Sequence, residues 1–191
     1  MINKILAGVD EVGRGCLAGP VISCALILRK SINKKFLKDS KTIPFKDRIK
    51  IAEHIKKNSW YAIGSASVKE IDELNILRAS HLAMIRAING LSIQPGHILI
   101  DGNMIPKGLI IPASAIIKGD SKSVSISAAS IIAKVTRDKI MVDLGQHFTG
   151  YEWEKNAGYP TQRHISAIKT LGVTPHHRAS FRPIHNILYQ E

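Results

Sequence analysis

The sequence predicts an α/β fold, a mixed sheet flanked by helices, with a helical C-terminal part from about residue 144 onward. Two observations point to it. Short apolar runs bounded by glycine or acidic residues recur along the first two thirds of the chain, and longer stretches with apolar residues at helical spacing lie between and after them. The 191 residues, 45% hydrophobic and 22% charged, suit one domain, 1–191, that buries a core without covalent staples. Aromatic residues make up only 5%, so that core is expected to rest on Ile, Leu, Val and Ala.

The first strand is expected over residues 5–9, ending at Asp10 and Glu11. Gly13-Arg14-Gly15 punctuates the turn after it, and residues 21–28 form a second apolar run placed to pair with the first. A basic loop, 29–41, leads to a helix near 45–57, with Pro44 suited to its first turn and Phe45, Ile49, Ala52 and Ile55 at helical spacing. Residues 60–68 read as a third strand. The longest helix is expected over 70–89, with Ile71, Leu74, Leu77, Met84, Ile85 and Ile88 on one stripe and Gly90 as the stop. His81 falls on that stripe and is expected to be a buried, hydrogen-bonded histidine rather than a ligand. Residues 97–100 form an apolar run ending at Asp101; another, 113–117, precedes Lys118-Gly119-Asp120. The pattern turns helical again over 127–144. A shorter helix is expected over 162–171, with Thr161 as N-cap and Gly172 beyond its end.

Lys and Arg number 27 against 15 Asp and Glu, a formal net charge of +12. Such an excess favours polyanionic partners, although a basic surface can also serve solubility alone. Neither a basic amphipathic stretch nor an apolar run of roughly 18 residues supports a membrane partner. Asp10 and Glu11 interrupt the opening residues, unlike a secretory signal. The two cysteines, Cys16 and Cys24, lack a metal-ligand pattern and read as small buried or half-buried residues of a reducing compartment, so the cytoplasm is the expected location.

Four acids stand apart from the rest. Asp10 and Glu11 end the first strand, Asp101 ends another apolar run, and Asp120 follows a third after a Lys-Gly step. Carboxylates against a sheet core need compensation, and a divalent cation such as Mg²⁺ or Mn²⁺ supplies it through hard oxygen ligands. Paired ions roughly 3.5–4 Å apart activate water and stabilise a leaving oxygen, which is what phosphodiester hydrolysis needs. The competing reading makes these acids turn-formers beside glycine, and spacing alone does not separate the two. Adjacent strand residues also face opposite ways, so Asp10 and Glu11 are expected to share a site only if the strand ends or twists between them. The glycines of Gly13-Arg14-Gly15 permit close approach of a sugar-phosphate chain, and loop amides and carbonyls can sense a 2′-hydroxyl; a loop needing unusual dihedral angles is the plainer reading.

Several ordered segments resemble one family. Gly8-Val9-Asp10-Glu11-Val12-Gly13-Arg14-Gly15 with Leu17-Ala18-Gly19-Pro20 is similar to the first signature of the type 2 ribonucleases H. Asp39-Ser40-Lys41, Asp101-Gly102-Asn103, Lys118-Gly119-Asp120, Ser127 to Ile131, Ala133 to Asp138, Gly158-Tyr159-Pro160-Thr161 with His164, and His177-Arg178 with Ser180-Phe181 continue it along nearly the whole chain. The resemblance implies a ribonuclease H-like fold and hydrolysis of the RNA strand of RNA–DNA hybrids. It also implies nicking 5′ of single ribonucleotides in duplex DNA, leaving 3′-hydroxyl and 5′-phosphate ends. It makes Asp10, Glu11, Asp101 and Asp120 the catalytic metal ligands for Mn²⁺ or Mg²⁺. Gly13, Arg14, Gly15 and Lys41 become substrate-binding residues, with Tyr159 stacking on the sugar after the ribonucleotide. Asp138 reads as a structural acid.

The type 3 enzymes share the acidic set but not the Gly-Arg-Gly loop, which favours type 2. Cys16 and a one-residue insertion near Lys107-Gly108 are the departures. A monomer is expected, with no clamp-binding pattern at the C-terminus. The other readings are a non-catalytic basic nucleic-acid-binding module, another nuclease of the same fold, and, a poor fourth, a zinc site on His164, His176, His177 and His185.

Overall fold

A computed structural model describes residues 5–29, 37 and 44–189. Lys41, expected to bind substrate, lies with Asp39 and Ser40 outside the described residues.

Strands β1 (Leu6–Val12), β2 (Val21–Leu28) and β3 (Ser59–Ala66) form an antiparallel meander. Strands β4 (His97–Asp101) and β5 (Ala113–Ile116) extend it on the β1 side in parallel, giving the order β3-β2-β1-β4-β5. The mixed sheet expected from the sequence is therefore present, and the first two strands pair as expected. β2 is buried along nearly its whole length, which is why Val21 to Leu28 reads as an unbroken apolar run rather than an alternation.

Helix α1 (Phe45–Lys57) follows Pro44, which stands at the N-cap, one place before the first turn. Helices α2 (Val68–Leu74) and α3 (Ile76–Asn89) replace the single helix expected over 70–89. Asn75 causes the break. It adopts φ 70°, ending α2, and its side-chain oxygen accepts from Leu77 N at 3.0 Å and Arg78 N at 3.1 Å, starting α3. Ser67 and Glu70 form a reciprocal capping box that starts α2 earlier than the apolar stripe indicates. His81, on α3, is half-buried rather than buried.

After the four-residue helix α4 (Gly119–Lys122) comes α5 (Val124–His147), which at 24 residues is the longest helix among those described. Its buried residues point in several directions because it packs on the sheet, on α1 and on the C-terminal part at once. Ala128, Ile131, Ile132 and Val135 meet Ile22, Leu26, Ala52 and Ile55 on one face of the sheet. On the other face Met84 and Ile88 of α3 meet Val9, Ala25, Ile98 and Ile100. The approach is closest at Gly64 of β3, where a Cβ would collide with the Ala83 carbonyl of α3.

The C-terminal part holds α6 (Trp153–Asn156), α7 (Gln162–Leu171) and α8 (Arg182–Tyr189). Helix α7 has the expected bounds, with Thr161 Oγ1 accepting from His164 N at 3.2 Å and Gly172 at its C-cap. Tyr151, Trp153, Ile168 and Ile184 pack against Leu17, Ala18 and Met141, docking this part onto the loop that follows β1. Cys16 and Cys24 are free thiols and buried, as expected. Among the described residues no helix is long and apolar enough to cross a membrane.

Candidate active site

The parallel pairing of β1 with β4 brings two of the acids together. Val9 lies opposite Ile100, so the next residues along, Asp10 and Asp101, emerge side by side. β5 runs parallel beyond, with Asp101 opposite Ile116. The chain then turns through Lys118, at φ 55°, into α4, where Gly119 N donates to Asp101 Oδ1 at 2.6 Å and Asp120 occupies the first turn. The carboxyl ends of parallel strands are where sheets of this kind bind ligands. All four carboxylates line one cavity of ≈ 330 Å³ there, together with Arg48, Ser130, Lys134 and Tyr159. Gly102 adopts φ 106°, so Asp101 both precedes a glycine turn and faces the cavity.

Asp10 and Glu11 share the cavity although the strand neither ends nor breaks between them. The antiparallel ladder runs on through Asp10 opposite Cys24, Glu11 opposite Ser23 and Val12 opposite Ile22. By strand alternation Asp10 points to the α5 face, where Ser130 hydrogen-bonds to it, and Glu11 points to the opposite face. Glu11 N also donates to Asp10 Oδ1 at 2.8 Å, and Arg14 Nη1 meets Glu11 Oε1 at 3.2 Å. The cavity opens off the strand's end, within reach of both side chains.

Burial pushes the Asp10 carboxyl up to about 7, and the neighbouring charges of Glu11 and Asp101 add to it. Burial also raises Glu11, opposed by the Arg14 guanidinium. Glu11 Oε2 is buried without a hydrogen-bond partner. Crowded, desolvated acids with an orphaned oxygen suit a hard cation, which would supply the charge these carboxylates lack. As the side chains stand, no three His, Cys, Asp or Glu groups among the described residues enclose a cation between them. The Gly119 amide and the Arg14 guanidinium occupy oxygens of Asp101 and Glu11 that would have to turn toward an ion.

Two buried arginines, which fall in the family-like segments but were given no role there, shape the loop beside the acids. Arg178 donates to the carbonyls of Gly13 at 2.6 Å, Arg14 at 3.0 Å and Gly19 at 2.8 Å. Burial lowers its pKa to about 10, which leaves it a cation at neutral pH. Arg137 donates to the carbonyls of Pro20 at 2.9 Å, Ala18 at 2.9 Å and Ala157 at 2.8 Å. Its side chain lies where a Cβ on Gly13 would be, and Gly13 adopts φ 97°, so the fold itself requires glycine there. Gly15 differs: its φ is not in the left-handed region and nothing lies within 4 Å of the position of a Cβ. Arg14 extends from the same loop with its side chain 49% exposed.

Tyr159 stands at the cavity's rim, 38% exposed. Its carbonyl lies 2.9 Å from His164 Nδ1, while His164 Nε2 accepts from Trp153 Nε1 at 2.9 Å and lies 3.2 Å from His177 Nε2. Thr174 N donates to His177 Nδ1 at 3.0 Å. His164 and His177 are thus satisfied core groups and not zinc ligands. Asp138 pairs with Lys134 and Arg48. Ser130 and Lys134 also went unnoticed as site residues. Their signal in the sequence is the four-residue step from Ser130 to Lys134 to Asp138 along one helix.

The chain matches the family model Ribonuclease HII over residues 7–184. A ribonuclease HII of Ruegeria sp. (strain TM1040) is 56% identical over 186 residues, covering 97% of this chain and 81% of that protein. The crystal structure of ribonuclease H2 from Pyrococcus horikoshii OT3 superposes with a TM-score of 0.81 at 28% identity, covering 97% of each chain. Bst-RNase HIII, crystallised in complex with Mn²⁺, shares the fold, with a TM-score of 0.73 at 19% identity, covering 97% of this chain and 69% of that one. The fold is therefore ribonuclease H-like, and the chain belongs to the ribonuclease HII family.

Proposed function

We propose that this protein hydrolyses the RNA strand of RNA–DNA hybrids and nicks duplex DNA on the 5′ side of a single embedded ribonucleotide, leaving 3′-hydroxyl and 5′-phosphate ends. The observation behind this reading is the meeting of Asp10, Glu11, Asp101 and Asp120 in one cavity, beside the Gly13-Arg14-Gly15 loop and Tyr159. These carboxylates would hold Mn²⁺ or Mg²⁺, and the Mn²⁺ complex of Bst-RNase HIII supports a divalent cation in this fold. Bound there, such ions supply Lewis acidity and a water of lowered pKa.

The chain's own groups do the rest. Ser130 and the Glu11 amide fix the orientation of Asp10. The loop held open by Arg178 presents backbone groups to a 2′-hydroxyl, and the open space at Gly15 leaves room for a sugar to approach. Tyr159 stacks on the sugar that follows the ribonucleotide. The net charge of +12 holds the flanking duplex. Residues 1–191 act as one catalytic domain, as a monomer, in the cytoplasm.

The test is cleavage of a labelled DNA duplex carrying one ribonucleotide, against an all-DNA control, in Mg²⁺, Mn²⁺ or EDTA. Metal-dependent cutting confined to the 5′ side of the ribonucleotide is expected. Binding without cutting by folded protein in either metal would make this a binding module instead.

A further inference from the structure

Ser130, Lys134 and Asp138 follow one another at four-residue steps on α5, so they share one stripe of the helix. Ser130 hydrogen-bonds to Asp10, which places Lys134 about 6 Å further along the helix axis from the carboxylates. Lys134 Nζ lies 2.7 Å from Asp138 Oδ1, in ion-pair contact, and 5.6 Å from the centre of the Tyr159 ring. Asp138 Oδ2 also meets Arg48 Nη1 at 3.4 Å. Lys134 therefore lines the same cavity as the acids and the tyrosine, its ammonium drawn into place by a carboxylate that is itself only 13% exposed.

An ordinary surface ion pair contributes little and needs no special location. This one sits where a polyanion must pass. If the cleaved linkage lies at the carboxylates and Tyr159 takes the sugar after the ribonucleotide, one phosphate lies between them. That phosphate joins the ribonucleotide to the following nucleotide. A compact ammonium with three donors suits its non-bridging oxygens.

We propose that Lys134 binds the phosphate on the 3′ side of the ribonucleotide, one linkage beyond the one cleaved, and that Asp138 is the positioning residue that holds its ammonium beside Tyr159. The assignment rests on reading the cavity as a nuclease site that cuts 5′ of a ribonucleotide.

The test pairs the protein variant with a substrate variant. A duplex with one ribonucleotide is made with either the normal phosphate or a neutral methylphosphonate at that 3′ linkage. Wild type, Lys134→Ala and Lys134→Arg are compared for single-turnover cleavage in Mg²⁺ and for binding in EDTA. The methylphosphonate should cost the wild type about 10- to 100-fold and Lys134→Ala less than about 3-fold, the non-additivity expected of a direct contact. Lys134→Ala should also lower the slope of log affinity against log salt by about 1 on the normal duplex, and Lys134→Arg should restore it. Equal methylphosphonate costs in wild type and Lys134→Ala would overturn the assignment. Binding in EDTA reports that coupling without chemistry, so absent cleavage by the wild type counts against the nuclease reading and leaves the phosphate contact to be judged by affinity.

Discussion

Asp10→Asn should make the metal-free protein more stable above neutral pH while removing its activity. Asp10 is 6% exposed, and its carboxyl is pushed from 3.8 up to about 7 by burial and by the charges of Glu11 and Asp101. Between those two values the folded protein keeps a proton that the unfolded chain has released. Stability is therefore lost as pH rises through that window, and the loss is complete above about 7. At about 1.4 kcal/mol per pKa unit, the gap sets an upper bound of about 4 kcal/mol on the strain that ionised Asp10 imposes. Asparagine cannot ionise and keeps an oxygen to accept from Glu11 N, so it should recover most of that strain. Urea unfolding in EDTA measures the difference at two pH values. At pH 8.5 the variant should be the more stable by up to about 4 kcal/mol, and at pH 4.5 the gain should shrink to about 1 kcal/mol or less. Thermal midpoints should follow at roughly 2–4 °C per kcal/mol for a chain of this size. Added Mn²⁺ should stabilise the wild type more than the variant. A gain that is the same at both pH values, or a variant less stable at pH 8.5, would refute this account of the site's electrostatics.

Two further substitutions separate fold from function in the loop after β1. Arg178→Met should destabilise the protein by about 3 kcal/mol or more, because the carbonyls of Gly13, Arg14 and Gly19 lose their buried donor. In the fraction that stays folded at low temperature, the preference for ribonucleotide-containing over all-DNA duplex should fall, and an unchanged preference would remove Arg178 from any positioning role. Gly15→Ala should leave stability within about 0.5 kcal/mol, since nothing lies near the added methyl, yet should slow cleavage at a ribonucleotide at least about tenfold. Full activity in that variant would show that substrate does not approach Gly15 closely.

Much of the local structure was legible in the sequence because its causes are local. The bounds of α7 follow from Thr161 and Gly172, which cap a helix whatever surrounds it. The split at Asn75 was missed because a continuous apolar stripe hid a side chain that ends one helix and starts the next. The four acids were visible as residues out of place, and the ordered family motifs named them together; composition and spacing alone left them between ligands and turn-formers. Only the tertiary structure brings Asp10 beside Asp101, through the parallel register of β1 and β4 across the 84 residues of chain between the two strands. Only it joins Arg178 to Gly13, 165 positions apart, and sets Lys134 between Asp138 and Tyr159. Periodicity and caps act through neighbours a turn or two away and are written in the local sequence. Strand register and buried side-chain contacts depend on segments that meet only when the whole core closes, so no short window of sequence contains them.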